Sequence, residues 1–227
     1  MKYNGIIFDL DGTLADTLAD IAHSMNRILR ERGYPVHAAE DYKLLIGRGL
    51  ENLVSASLPM EARLPSIISA CLIDLMLDYR DNCLVETRLY PGIEPLLYHL
   101  QELGLKMAVF SNKADDLTQI IVQSLMPGIR FSMIVGARPD YPKKPDPSGA
   151  QMISNFLDIK PEQIIYIGDS DVDMLTARGA RMLAVGVLWG FRTKEELLLN
   201  GADHLLNDPS ELPGLLDNDI PRPLGSK

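Results

Sequence analysis

The apolar positions of this chain fall into two alternating patterns. Short continuous runs at Gly5–Phe8, Met107–Phe110, Phe131–Val135, Ile164–Ile167 and Leu183–Val187 predict buried strands. Unbroken apolarity means that both faces of each strand are covered, as in a parallel sheet with helices on either side. Between the runs, apolar residues recur at helical spacing. Ile93, Leu96, Leu97, Leu100 and Leu103 share one helical face, and Gly104 is placed to end that helix. Leu117, Ile120, Ile121 and Leu125 form a second stripe. Met152, Ile153, Phe156 and Leu157 form a third, with Pro161 beyond its end. Repeated strand–helix–strand units predict an α/β fold with a doubly wound, Rossmann-like parallel sheet as its core.

The alternation breaks once. From residue 17 to residue 88 the pattern is helical throughout, over 17–32, 40–45, 50–57 and 65–80. Gly33-Tyr34-Pro35, Gly47-Arg48-Gly49 and Pro59 punctuate it, and strand-and-helix order resumes at Tyr90-Pro91-Gly92. The expected organisation is an α/β core of residues 1–16 and 89–216, a small inserted α-helical cap domain of residues 17–88, and a loose C-terminal tail of residues 217–227. Hinge motion is expected where the chain crosses between core and cap, at Thr13–Thr17 and Val85–Leu89.

Charge narrows the partners. The 227 residues carry 22 basic and 31 acidic side chains, a formal net charge of −9. So acidic a surface disfavours nucleic acid, whose binding requires basic residues that displace counterions, and it disfavours anionic membranes. No stretch reaches the ~18 apolar residues of a membrane span. The N-terminus lacks a signal-peptide pattern, so a cytoplasmic protein, monomer or homodimer, is expected. Cys71 and Cys83 show no metal-ligand or disulfide-framework spacing. His23, His37, His99 and His204 are scattered and read as helix or loop surface. Trp189-Gly190-Phe191-Arg192, after the fifth run, reads as packing near the mouth of a pocket.

Candidate chemistry gathers at strand ends. Asp9-Leu10-Asp11-Gly12-Thr13 follows the first run, where an open α/β sheet binds its ligands. A calcium loop starting at Asp9 is excluded, because Leu14 stands where glycine is needed and Asp20 where glutamate is needed. An aspartate, with a pKa of ~3.9, is ionised at neutral pH and attacks phosphorus without a base. It is a weak nucleophile, so the electrophile must be activated by a cation. Ser111 and Asn112, after the second run, offer donors to a phosphoryl oxygen, although alone they also read as a helix-capping turn. Lys144, set among prolines, is a point charge held in a loop. Gly168-Asp169-Ser170-Asp171-Val172-Asp173 crowds acids that repel one another unless a cation sits among them, whereas Asp171 alone reads as a helix cap. Jointly these residues describe a hard-cation site, suited to Mg²⁺, facing an anionic substrate.

The ordered motifs resemble those of the haloacid dehalogenase-like hydrolase superfamily: Asp9–Thr13, then Ser111, Lys144, and Asp169 with Asp173. Within it the chain is most similar to the phosphoglycolate phosphatase group, through Ile46-Gly47-Arg48-Gly49, Tyr90-Pro91-Gly92, Ser111-Asn112-Lys113 and Gly201-Ala202-Asp203-His204. The resemblance implies a Mg²⁺-dependent phosphatase acting on a small phosphorylated metabolite, 2-phosphoglycolate first, through an aspartyl-phosphate. Asp9 would be the nucleophile and Asp11 the acid and then the base. Asp9, the Asp11 carbonyl and Asp169 would hold Mg²⁺. Asp173 would be a further ligand or the partner of Lys144. Lys144 and Ser111 would hold the phosphoryl oxygens, with Thr13 and Asn112 beside them. Arg48, in the cap, is expected to reach the distal end of the substrate. Alternatives within the family are a phosphosugar mutase, a pyrophosphatase and a nucleotidase. A non-catalytic phosphate-binding regulator is the alternative outside the enzymes.

Overall fold

The computed structural model describes residues 2–139 and 141–216. The expected tail, 217–227, lies outside the described residues. In chain order the elements are β1 (Gly5–Phe8), β2 (Ala15–Asp16), α1 (Leu18–Glu31), α2 (Leu50–Ser57), α3 (Pro65–Asn82), β3 (Arg88–Leu89), α4 (Ile93–Glu102), β4 (Lys106–Ala114), α5 (Asp115–Leu125), β5 (Phe131–Ala137), α6 (Ser148–Leu157), β6 (Ile164–Gly168), α7 (Asp171–Gly179), β7 (Leu183–Val187), α8 (Lys194–Leu199) and β8 (His204–Leu206). Short 3₁₀ turns lie at Ala39–Leu44, Met60–Ala62, Pro161–Gln163 and Pro209–Leu215.

The main sheet has the order β5-β4-β1-β6-β7-β8, and every neighbouring pair in it is parallel. All five predicted runs are strands of this sheet. Alternation along each strand sends neighbours to opposite faces. Ile6, Phe8, Met107, Val109, Ile165 and Ile167 join the apolar cluster that includes α4 and α5. Ile7, Ala108, Phe110 and Tyr166 join the cluster that includes Ile153 of α6, Met174 of α7 and Leu197 of α8. Both faces are therefore dry, which is why the runs are continuous rather than alternating.

Two differences from the sequence reading stand out in the sheet. β8 is a three-residue edge strand, too short and too mixed to show as an apolar run. β4 continues past Phe110 to Ala114, with a register shift against β5, so Ser111 and Asn112 sit on extended strand rather than in a turn.

The helical stretch packs through amphipathic faces. α1 buries Leu18, Ile21, Ala22, Met25, Ile28 and Leu29. α3 opposes it with Cys71, Leu75 and Tyr79, spaced four apart on one face. The segment expected to be helical at 40–45 is the 3₁₀ turn Ala39–Leu44. The chain enters and leaves this region through an antiparallel ribbon, in which Ala15 pairs with Leu89 and Asp16 with Arg88. Asp20 of α1 ties the exit down. Its carboxylate accepts from Glu86 N at 2.9 and 3.0 Å, Thr87 N at 2.9 Å and Thr87 Oγ1 at 2.8 Å. Among the described residues, no helix is long and apolar enough to cross a membrane.

Candidate active site

β1 is the switch point of the sheet, with β4 on one side and β6 on the other. The loops leaving the carboxyl ends of these strands open onto one crevice. Asp9 is the first residue past β1, and its N–H donates to Ile167 O at 2.9 Å, prolonging the pairing with β6. Asp169 follows β6, and Asp173 lies in the first turn of α7. Asp9, Asp169 and Asp173 are all buried, with an oxygen from each within 4.8 Å of the others.

Lys144 Nζ stands between two of these acids, 2.7 Å from Asp9 Oδ1 and 2.7 Å from Asp173 Oδ1. The other Asp173 oxygen accepts from Ser170 N at 3.2 Å and from Ser170 Oγ. Asp169 Oδ2 accepts from Phe191 N at 2.7 Å. Gly12, at φ +82°, and Gly190 press against the Asp169 carboxylate so closely that a Cβ on either would run into it. Glycine is thus required at both positions to keep Asp169 in place.

Three acids against one buried ammonium give this cluster a formal charge of −2 when every acid is ionised. Burial, then the charge of Asp173, pushes Asp9 up to about 7. The same causes, with Asp9 added, push Asp169 well above the carboxylate range. Burial opposes the Lys144 charge, but Asp173 and Asp9 outweigh it and raise its pKa well above the ordinary lysine value. Although Asp9 Oδ1 touches Lys144, the contact lacks hydrogen-bond alignment, and this buried oxygen has no hydrogen-bond partner among the described residues. Clustered oxygens, excess negative charge and an unfilled buried acceptor together fit a hard divalent cation.

Asp11 faces a different set of donors. Lys113 Nζ reaches its two oxygens at 2.9 and 3.1 Å, and Thr17 Oγ1 donates to Oδ1 at 2.8 Å. Lys113 is itself buried, with its ammonium 4.6 Å from the centre of the Tyr79 ring on α3. Asp9, Asp11, Ser111, Lys113 and Lys144 border one cleft, partly open to solvent. Its opposite wall is apolar: Ile21 from α1, Ile46, Leu50 and Leu53, with the backbone of Gly47 and Gly49.

Several expected site residues are placed differently. Asn112 borders the cleft, but its amide is engaged elsewhere. It donates to Gly47 O at 2.9 Å and Lys144 O at 3.0 Å, and accepts from Lys144 N at 2.8 Å. It is a clasp that holds the Lys144 loop and the helical region together. Arg48 does not border the cleft. Its half-exposed guanidinium pairs with Asp171 at the start of α7, while the positive-φ glycines on either side turn their backbone inward. Thr13 is fully buried beneath the site, and its carbonyl accepts from Trp189 Nε1 at 3.0 Å. Arg192 does more than pack: it donates to Lys43 O and, at 2.8 Å, to Ile46 O, pinning the core loop to the helical region.

Two residues at the site carry no role in the sequence reading: Lys113, which it names only within the Ser111-Asn112-Lys113 motif, and Tyr79. The signal for Lys113 was its place directly after Ser111 and Asn112, beyond the carboxyl end of an apolar run. The signal for Tyr79 was its place on the Cys71–Leu75 stripe.

A family profile described as haloacid dehalogenase-like hydrolase matches residues 6–187. A phosphoglycolate phosphatase from Aquifex aeolicus is 32% identical over 217 residues, covering 95% of this chain and 97% of the relative. One from Xanthomonas campestris pv. campestris is 28% identical over 209 residues, covering 91% and 93%. Among solved structures, a protein from Lactobacillus delbrueckii subsp. bulgaricus, assigned by inference as a phosphoglycolate phosphatase, superposes with a TM-score of 0.88. It shares 30% identity, with 95% of this chain and 99% of that one covered. A haloacid dehalogenase-like family hydrolase from Streptococcus pneumoniae superposes with a TM-score of 0.84 at 26% identity, covering 94% and 98%. The chain therefore belongs to the haloacid dehalogenase-like hydrolase family.

Proposed function

We propose that this hydrolase is a Mg²⁺-dependent phosphatase that cleaves a small phosphomonoester, 2-phosphoglycolate, through an aspartyl-phosphate. The observation that carries the reading is Asp9: a buried carboxylate at the switch point, with an unfilled oxygen, beside Lys144 and Asp169. The names of the relatives, at 28–32% identity, support the substrate.

In this reading an Asp9 oxygen attacks phosphorus as the ester oxygen departs, and Asp11 gives that oxygen its proton. Water then attacks the phosphorus of the aspartyl-phosphate while Asp11 takes its proton, releasing phosphate and restoring Asp9. Lys144 and Ser111 hold the phosphoryl oxygens in line for both displacements. Asp9, Asp169 and the Asp11 carbonyl would hold Mg²⁺, which when bound neutralises the acids and draws charge from the phosphoryl group. Asp173 serves mainly to fix Lys144, because both its oxygens already accept from Lys144 and Ser170. The helical region acts as a cap, whose apolar wall sheds bulk water from the reacting bond.

The test is a panel of phosphomonoesters ranked by kcat/KM, with and without chelator, on the wild type and Asp9→Asn. The expected outcome has 2-phosphoglycolate at the top, no turnover in chelator or in the variant, and a phosphoryl mass on the Asp9 peptide of quenched wild type. Asp9→Asn should unfold at or above the wild-type temperature, because it removes a carboxylate that burial and Asp173 disfavour. Near-normal turnover by Asp9→Asn overturns the reading.

A further inference from the structure

The cleft holds two buried ammonium groups, and they are not equivalent. Lys144 is locked between Asp9 and Asp173. Lys113 is anchored on β4, and its only close acid is Asp11 among the described residues. Asp11 keeps a second donor, Thr17 Oγ1, which holds it if Lys113 turns away. The aromatic face of Tyr79 lies under the ammonium and supports its charge in a position the solvent does not reach.

A 2-phosphoglycolate molecule brings two anions. Its phosphoryl group is met by Lys144 and Ser111. Its carboxylate then lies elsewhere in a cleft whose far wall is Ile21, Ile46, Leu50 and Leu53. Buried against that wall without a partner, a carboxylate would be expelled. Arg48 does not supply the partner, since it faces Asp171, and Arg192 is bound to backbone carbonyls and Glu196. Lys143 is exposed near Gly49, outside the cleft lining.

We infer that Lys113 is the specificity-determining residue: it exchanges Asp11 for the distal carboxylate of the substrate, and the exchange frees Asp11 to turn to the leaving oxygen. The inference rests on the phosphatase reading above and adds a rule for which esters are chosen. Esters with a second anion are held and processed, whereas a neutral ester of the same size leaves Asp11 tied to Lys113.

The experiment measures kcat and KM for 2-phosphoglycolate and for 2-hydroxyethyl phosphate, which replaces the carboxylate with a neutral alcohol. The proteins are wild type, Lys113→Met and Lys143→Ser. Wild type should prefer the carboxylated ester by about 10- to 100-fold in kcat/KM, the usual consequence of one hydrogen bond between charged groups. Lys113→Met should lose that preference, with kcat/KM falling for the carboxylated ester while kcat for the neutral ester holds or rises because Asp11 is no longer tied, and Lys143→Ser should keep it. Equal falls on both esters in Lys113→Met would mean a structural role and overturn the inference, leaving the phosphatase reading intact. Loss of preference in Lys143→Ser overturns it as well. If circular dichroism shows Lys113→Met unfolded, the wild type decides: a preference below about 10-fold overturns the inference, and one above it supports it. Phosphate released from neither ester by the wild type removes the underlying reading.

Discussion

Replacing Lys144 with methionine isolates the electrostatic work of one atom. Methionine keeps most of the length and volume of the side chain, so the packing of its aliphatic stem is little disturbed, while the ammonium 5.8 Å from the Phe110 ring centre is lost. What disappears is the ammonium 2.7 Å from both Asp9 Oδ1 and Asp173 Oδ1. The two carboxylates, with Asp169 beside them, are then buried without a counter-charge. Removing one member of a buried pair costs about 3–5 kcal/mol. At about 2–4 °C per kcal/mol for a chain of this size, the unfolding midpoint should fall by roughly 10 °C in chelator. The loss must also depend on pH. Without Lys144 the folded-state carboxylates titrate still further above their unfolded value, so the folded state holds protons that the unfolded state has released. Stability is then present on the acid side and lost as pH rises. Melting wild type and Lys144→Met by circular dichroism at pH 5.5 and pH 8, both with EDTA, checks magnitude and sign together. A difference below about 3 °C at pH 8, or a larger one at pH 5.5 than at pH 8, refutes the reasoning.

Wild type in chelator should show a milder form of the same slope. Burial and the charge of Asp173 push Asp9 up to about 7 from its ordinary 3.8, so ionising it removes stability as pH rises through that window. The melting temperature in EDTA should be higher at pH 5 than at pH 7.5, with added Mg²⁺ stabilising more at pH 7.5; the reverse order in either measurement contradicts the assignment. Asp20→Ala leaves the buried Thr87 N–H and hydroxyl unpartnered at the chain crossing, at about 2–4 kcal/mol, and should speed hydrogen exchange across residues 85–89. Unchanged exchange there would show that Asp20 is not the tie. Gly12→Ala forces a Cβ into the Asp169 carboxylate from a φ of +82°. A Mg²⁺ titration followed by melting temperature should show affinity weakened about 10-fold or more, and wild-type affinity would show that Asp169 does not depend on this turn.

What could be read in the sequence was whatever depends on neighbours along the chain. Two dry faces make a strand uniformly apolar, so β1, β4, β5, β6 and β7 were visible as runs. β8 was not, because an edge strand with partly exposed His204 and Leu205 carries no such run. The acids were visible because strand ends are where a doubly wound sheet places its ligands, so position alone made them candidates. Less legible was the use of each polar group, which is decided by partners far along the chain. Asn112 has the right chemistry for a phosphate donor, yet Gly47 and Lys144, 65 and 32 residues away, take up its amide. Arg48 has the right charge for a substrate carboxylate, yet Asp171, 123 residues on, takes its guanidinium. Lys113 looked like the tail of a motif until the fold set it against Asp11, 102 residues earlier.

These long-range pairings also explain how a protein of net charge −9 can hold a phosphate dianion at all. Exposed lysines would be swamped by the acidic surface and screened by salt. Lys113 and Lys144 instead have side chains only 1% exposed, each set against carboxylates that keep it charged. Asp9, Asp11, Asp169 and Asp173 with the two lysines leave a formal site charge of −2. One divalent cation would bring that to zero, so the incoming dianion meets a neutral site with its positive charge focused on the phosphoryl oxygens. The acids that would by themselves repel the substrate are therefore what fixes the cations that receive it. Removing one buried lysine should harm the site far more than adding several to the surface could repair.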